Sequence, residues 1–171
     1  MTYGRGFKIM IGIYLYRISN DLYKRGIPLA PQFFTYLIYL FCGGYIPYSA
    51  EIGKNSNFGY GGMGIVIHRK AKIGRNCLIA HQVTIGENKG VPMIGNNVYL
   101  ATGSKILGGI TIGNNVIVAA NSVVINSNPD NCLVGGVPAR IIRSNIDIMH
   151  YINQLWPVKF RDALKNGKID L

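Results

Sequence analysis

The middle of the chain carries a large apolar residue at about every sixth position, and this spacing decides the fold class. Three steps are longer, at nine residues after Phe58, nine after Ile85 and ten after Val124, and these steps are predicted to contain loops. An α-helix repeats every 3.6 residues and a strand every two, so neither alone accounts for a period of six. The series is Ile46, Ile52, Phe58, Ile67, Ile73, Ile79, Ile85, Ile94, Leu100, Ile106, Ile112, Val118, Val124 and Val134.

A fixed short period is typical of stacked coils, in which each short strand buries its apolar side against the next coil. Three strands per coil would form a triangular prism with rungs about 4.8 Å apart. The predicted fold class is therefore all-β, a parallel β-helix with helices at its ends. We assign Ile67, Ile85, Ile106 and Val124 to face A; Ile52, Ile73, Ile94, Ile112 and Val134 to face B; and Phe58, Ile79, Leu100 and Val118 to face C.

The corners between the strands are predicted at residues that tolerate unusual backbone angles. The position after each large apolar residue is often Gly or Ala. Asparagine enters the left-handed region of backbone space more readily than most residues do. The corner asparagines in this phase are Asn96, Asn97, Asn114, Asn115 and Asn121.

Both flanks of the repeat have the spacing of helices. Residues 7–25 place apolar side chains at helical intervals and are predicted to form an amphipathic helix that ends at Gly26. A second, more apolar helix is predicted over residues 32–42, and Pro157 separates two short helical patterns near the C-terminal end. We therefore predict one unit made of N-terminal helices (1–45), a β-helix (46–143) and a C-terminal helical tail (144–171).

Two interpretations of the N-terminal helices remain open. Residues 32–42 are too few to span a bilayer, which takes about 20 apolar residues. The helices either pack on each other, on the end of the prism or on partner subunits, or they lie in a membrane interface. In the second case residues 7–42 make peripheral contact with the inner membrane face, with Lys8, Arg17, Lys24 and Arg25 towards anionic lipid.

Composition narrows the partners and the compartment. Eighteen Lys and Arg against seven Asp and Glu give a net charge of +11, which suits an anionic small molecule, an anionic surface or nucleic acid. We expect no nucleic acid, because neither zinc-finger spacing nor an RNA-binding signature is present. Cys42, Cys77 and Cys132 follow no metal or disulfide spacing, so a reducing, cytoplasmic location is expected.

The chain resembles the hexapeptide-repeat acyltransferases, and within them the serine acetyltransferases and related sugar and polysaccharide O-acetyltransferases. The stretches that match are GIVIHRKAKIG (64–74), the segment from VTIGENKG to AANSVV (83–124) and VGGVPARII (134–142). The resemblance implies a left-handed β-helix, an acetyl-CoA co-substrate and a homotrimer.

The resemblance is less specific for the acceptor. We expect an acetyl-CoA-dependent O-acetyltransferase that acts on a hydroxyl of a sugar or surface-polysaccharide precursor. L-serine is the alternative acceptor, as in cysteine biosynthesis, and an amine acceptor stays open. A non-catalytic binding or scaffold β-helix is the alternative of a different class.

Transfer of an acetyl group to a hydroxyl needs a base, for which histidine is suited near neutral pH. His81 stands two positions after inward Ile79, at the corner between faces C and A. Its context, LIAHQVTIG, resembles the catalytic-histidine segment of sugar-nucleotide acyltransferases. His68 directly follows inward Ile67 and is predicted to point outward from face A. Both are candidate catalytic residues, and Glu87 either orients one of them or is solvated.

Two departures from the serine acetyltransferase pattern are visible. In that family a catalytic histidine stands three residues before the Gly-Ile-Val motif, where this chain has Gly61. Tyr60 is predicted at the same corner as His81, one coil earlier. The family's second histidine, before the face B strand, is replaced by Val91. These departures weaken serine as the acceptor.

The resemblance also implies a donor site on the outer wall of the prism, completed by a neighbouring subunit. No metal is expected, because a metal site in such a prism needs three converging histidines. The positions that match the family's cofactor-binding residues are Thr102, Gly103 and Ala120, with Lys105 and Arg140 available to the phosphates of acetyl-CoA.

Overall fold

The computed structural model describes residues 11–169, which form a parallel β-helix between two pairs of helices. The helices are α1 (Ile11–Lys24), α2 (Ala30–Cys42), α3 (Ile148–Leu155) and α4 (Val158–Lys165). The strands are β1 (Glu51–Ile52), β2 (Asn57–Phe58), β3 (Val66–Ile67), β4 (Lys72–Ile73), β5 (Leu78–Ile79), β6 (Thr84–Gly86), β7 (Met93–Ile94), β8 (Tyr99–Leu100), β9 (Lys105–Leu107), β10 (Thr111–Ile112), β11 (Ile117–Val118), β12 (Val123–Val124), β13 (Cys132–Gly136) and β14 (Ala139–Ser144).

Three sheets form the three faces, and the predicted faces are confirmed at all positions but one. Face A has the order β12-β9-β6-β3, face B has β1-β4-β7-β10, and face C has β14-β13-β11-β8-β5-β2. Within each face the large apolar residues of successive coils pair in parallel register, as Ile79 does with Leu100. Among the strands of the described part of the chain, only β14 runs antiparallel, because it folds back on β13.

The assignment of Val134 to face B is wrong. Val134 pairs with Val118 and so belongs to face C. The chain instead crosses face B at Asn128, which bridges Ile112 in parallel. The step after Val124 therefore contains one strand crossing without an apolar residue, and the period of large side chains does not detect that crossing.

A stack of asparagine side chains stabilises the corner between faces B and C. The amide Nδ2 of each asparagine donates to Oδ1 of the asparagine one coil further on, at 2.8–3.2 Å. All members have left-handed backbones with φ of 56–60°. Its members are Asn55, Asn76, Asn97, Asn115 and Asn131.

The predicted corner asparagines thus play two different roles. Asn97, Asn115 and Asn121 have left-handed backbones, as expected. Asn96 and Asn114 do not; their Oδ1 atoms instead accept backbone N–H groups of the preceding coil, from Arg75 at 3.0 Å and from Asn96 at 2.9 Å. Side chains therefore add inter-coil hydrogen bonds at a corner where the strand ladder is interrupted.

Helix α1 covers the open edge of the first coil, which would otherwise expose unpaired backbone groups. The buried Tyr16 hydroxyl donates to the carbonyl of Ala50 at 2.6 Å and accepts from the amide of Ile52 at 3.1 Å. The Arg17 guanidinium donates to the carbonyls of Ile52 and Gly53 at 2.5 and 2.6 Å. Packing on the prism end, the first of the two interpretations of the helices, therefore applies to α1, and predicted helix residues 7–10 lie outside the described residues.

The Tyr16 contacts lead to a stability prediction. Tyr16→Phe should lower the free energy of unfolding by about 2 kcal/mol at pH 7, because the Ile52 amide loses its buried acceptor. Burial raises the pKa of Tyr16 to about 12. The unfolded chain therefore ionises near pH 10 while the folded chain stays neutral, so the wild-type protein should lose up to about 1.4 kcal/mol per pH unit from pH 10 to 12.

Urea unfolding of both proteins at pH 7 and pH 11 measures this effect. The gap between wild type and Tyr16→Phe should narrow at the higher pH, since phenylalanine cannot ionise. An equal gap at both pH values would show that the Tyr16 hydroxyl is not held neutral by the fold.

The C-terminal helices cover the outer wall of face C, a position that the helical spacing of residues 144–171 alone does not predict. The Trp156 indole N–H donates to the Asn76 carbonyl at 3.0 Å. Its ring joins an apolar cluster with Leu78, Ile117 and Ile152. A signal was available, because only face C has apolar residues at the outward position in four coils. These are Leu78, Tyr99, Ile117 and Leu133.

Helix α2 matches its predicted bounds within two residues and ends at Gly43, which has a left-handed backbone. Within residues 11–169, no helix has the length and apolar character needed to cross a bilayer. The division at residues 45 and 143 stays a prediction.

Candidate active site at the corner between faces C and A

The two candidate histidines lie at opposite edges of face A. His81 is in the corner that leads from β5 on face C to β6 on face A. His68 follows β3 and stands where the chain leaves face A for face B. The structure therefore does not bring the two histidines together, and each has its own set of hydrogen-bond partners.

His81 belongs to a column of side chains that stack from coil to coil. The Tyr60 ring packs edge-on against the His81 ring, with centroids 4.7 Å apart and planes at 71°. On the next coil, Thr102 Oγ1 lies 3.4 Å from His81 Nδ1. Ala120 occupies the same corner one coil further on. The prediction that Tyr60 shares the corner of His81, one rung away, is confirmed.

The hydrogen bonds of His81 leave one ring nitrogen open. Nδ1 faces the Thr102 hydroxyl, while Nε2 has no hydrogen-bond partner within the part of the chain that the structure describes. The tautomer with the proton on Nδ1 donates to Thr102 and leaves Nε2 with a free lone pair. A histidine in this state can take a proton from a hydroxyl brought to Nε2.

His68 has a different environment, because both ring nitrogens have partners. Nδ1 accepts the backbone N–H of Lys70 at 3.2 Å. Nε2 lies 3.2 Å from a carboxylate oxygen of Glu87. Glu87 therefore orients His68 rather than His81, and no lone pair of His68 faces an open site. The geometry favours His81 as the base and a structural role for His68.

The N-terminal helices close over the position where a serine acetyltransferase would carry its histidine. Gly61 is buried, and its carbonyl accepts from the Cys42 thiol at 3.3 Å. A Cβ added to Gly12 of α1 would come 2.4 Å from the same carbonyl oxygen. The helix backbone therefore contacts the loop directly, whereas neighbouring Tyr60 is 62% exposed and stands over His81.

Four of the five predicted donor residues lie around this corner. Thr102 and Gly103 form the corner itself, and a Cβ on Gly103 would overlap the Asn121 side chain at 2.1 Å. The Lys105 ammonium donates to the Gln82 carbonyl at 2.8 Å, which holds it against the loop that carries His81.

Arg140 lies on β14, at the end of the prism. Its hairpin adjoins the last corner of the same column, where the Gly136 amide donates to Ser122 Oγ at 3.2 Å. Lys105 is therefore at the corner itself, whereas Arg140 is on the hairpin that closes the end of the column. Among residues 11–169, no three His, Cys, Asp or Glu side chains converge in a manner suited to a metal ion.

Comparisons with known proteins agree with this architecture. The family described as bacterial transferase hexapeptide (six repeats) matches residues 92–126. The chain is 36% identical to a serine acetyltransferase of Synechococcus elongatus over 149 residues, which is 84% of this chain and 59% of that protein. It is 39% identical to a serine acetyltransferase of Staphylococcus epidermidis over 136 residues, which is 77% of this chain and 63% of that protein.

Solved structures give the same result. Serine acetyltransferase from Brucella abortus superposes with a TM-score of 0.73 at 32% identity, covering 78% of this chain and 55% of that one. A serine acetyltransferase in complex with CoA superposes with a TM-score of 0.72 at 31% identity, covering 77% and 55%. The chain thus spans between half and two thirds of the length of these proteins.

The prism is therefore a left-handed parallel β-helix of the hexapeptide-repeat class, as predicted. The resemblance to the hexapeptide-repeat acyltransferases is confirmed, and within them it is to the serine acetyltransferase-like group.

Proposed function

We propose that the protein is an acetyl-CoA-dependent O-acetyltransferase in which His81 is the general base. The observation that carries this proposal is the environment of the His81 ring. Its Nδ1 faces Thr102, its ring packs on Tyr60, and its Nε2 is open. The similarity to a serine acetyltransferase in complex with CoA supports the choice of donor.

The reaction follows from these contacts. Nε2 of His81 takes the proton of the acceptor hydroxyl as its oxygen attacks the acetyl carbonyl carbon. The carbon–sulfur bond then breaks, and His81 returns the proton to the thiolate of CoA. The Thr102 oxygen accepts from Nδ1–H throughout, which stabilises the imidazolium that forms between the two proton transfers.

The donor would lie along the corner column. Thr102, Gly103 and Ala120 give a wall low enough for an extended pantetheine chain, and Lys105 and Arg140 would contact its phosphates. In a homotrimer a second copy of the chain would close this donor site. The co-substrate would then contact residues of both copies.

L-serine is the acceptor that the comparisons favour over a sugar, because the similar proteins are serine acetyltransferases. A sugar hydroxyl is the second candidate, and two observations favour it. The position of the family's first histidine is buried Gly61, and that of its second is Val91. A pocket that lacks both histidine side chains would bind the carboxylate and ammonium groups of serine through other contacts than a pocket that has them.

Release of the CoA thiol, followed with a chromogenic disulfide, tests the proposal. Acetyl-CoA would be supplied with L-serine, with neutral and acidic sugars, and with an amino sugar, and the product would be identified by mass. We expect an O-acetylated product with one acceptor class. If acetyl-CoA neither binds by calorimetry nor turns over with any acceptor, the protein is a non-catalytic β-helix and the proposal fails.

A further inference from the structure

Helix α2 exposes a strongly apolar surface. It contains no charged residue, yet a large part of it faces outward. The turn before it adds Leu29, which is 78% exposed and has a left-handed backbone with φ of 66°. A large exposed aliphatic side chain in that conformation has no benefit for folding, since glycine or asparagine would fit better. The outward residues are Leu29, Phe33, Tyr36, Tyr39, Leu40 and Phe41.

A basic groove of about 590 Å³ lies between Tyr23 of helix α1 and the first two coils. Its cations are Arg69, Lys70 and Lys72. Only Lys72 has a carboxylate partner within residues 11–169, Glu51 at 3.5 Å, and both members of that pair are more than 60% exposed. The groove therefore has a net positive charge and is open to solvent.

The apolar turn and the basic groove share a wall. Tyr23 and Tyr48, whose ring centroids are 4.9 Å apart, line both the groove and a neighbouring cleft. That cleft is bounded by the α1–α2 turn, including Ile27 and Pro28. The apolar α1–α2 turn, the two tyrosines and the cations of the groove thus adjoin one another.

We propose that this continuous surface docks the protein on an anionic lipid bilayer. Apolar side chains of the α1–α2 turn and of the outward face of α2 would enter the acyl boundary, tyrosines would lie at the headgroup level, and the groove cations would contact lipid phosphates. The groove adjoins the edge between faces A and B, whereas the His81 corner is at the other edge of face A. This inference does not depend on the proposed reaction.

Sedimentation of the full chain with vesicles tests the proposal. Binding to vesicles of phosphatidylcholine with about one third phosphatidylglycerol should exceed binding to pure phosphatidylcholine by at least tenfold, and it should fall at high salt. Leu29→Ser with Phe33→Ser, and separately Arg69→Glu with Lys70→Glu, should each weaken binding at least tenfold. Val158→Ser and Lys159→Glu, exposed changes of the same kinds on α4, are the matched controls and should leave binding unchanged.

Three results would overturn the proposal. One is equal binding to neutral and anionic vesicles. Another is a dimer, detected by light scattering, that Leu29→Ser with Phe33→Ser dissociates while vesicles bind no protein, because a second copy would then cover the surface. The third is tight binding of soluble dextran sulfate, lost in Arg69→Glu with Lys70→Glu, without any binding to vesicles. Acetyl transfer to a soluble acceptor, measured in parallel, reports on the proposed reaction independently.

Discussion

Replacement of His81 by asparagine is expected to lower kcat for acetyl transfer by about 10²–10⁴-fold, the range that general-base catalysis supplies. The asparagine amide can still donate to Thr102 Oγ1, so the corner keeps its packing. It cannot take a proton at neutral pH, so the acceptor hydroxyl stays un-ionised. Steady-state release of the CoA thiol measures the change.

The matched control is His68→Asn, which removes the contact between His68 and Glu87 at the other edge of face A. We expect kcat to change less than about threefold in this variant, since neither nitrogen of His68 faces an open site. Calorimetric binding of CoA should be the same in both variants and in wild type. A large loss in His68→Asn with near-normal turnover in His81→Asn would reverse the assignment of the base.

The repeat could be predicted from sequence because its phase is set by geometry alone. Each inward residue stacks on the one a coil earlier, so Ile79 and Leu100 share a face whatever the loops do. The phase gives the wrong face where a strand crossing has no apolar residue. It assigns Val134 to face B, although Asn128 occupies that position and Val134 lies on face C. The period in the sequence detects only large apolar side chains, whereas the face on which a residue lies depends on the number of strand crossings that precede it.

The site could be predicted only in part, for a related reason. The stacking of Tyr60, His81 and Thr102 follows from phase, because corner residues also repeat from coil to coil. The proposal of His81 rather than His68 as the base does not follow from phase, since it depends on which ring nitrogen already has a hydrogen-bond partner. That is decided by Glu87, whose carboxylate position is set by the 86–92 loop and not by the repeat.

A column of glycines at the edge between faces B and C gives the second large prediction. Each follows the inward residue of face B, and the backbone of the next coil lies against it. A Cβ added to Gly95 would come 2.8 Å from the carbonyl carbon and oxygen of Gly113. The carbonyl carbon and oxygen of Gly113 cannot move aside, because they are backbone atoms. The hydrogen bonds of the β-ladders fix the spacing between successive coils. The column is Gly53, Gly74, Gly95 and Gly113.

Gly95→Ala is therefore expected to lower the free energy of unfolding by about 3 kcal/mol, at the upper end of ordinary overpacking. The matched control is Gly26→Ala, which has a left-handed φ of 72° but, among residues 11–169, no atom within 4 Å of the added methyl group. That variant should lose about 1 kcal/mol from backbone strain alone.

Urea unfolding of the two variants separates steric from conformational cost. Gly95 lies in a central coil, and each coil of a solenoid is stabilised by its neighbours. A methyl group at Gly95 that pushes two coils apart therefore weakens the contacts on both sides of that coil. The larger loss must therefore occur in Gly95→Ala. Equal losses in the two variants would show that the coils can separate enough to admit a methyl group, in which case close backbone approach is not the reason for glycine at this position of the repeat.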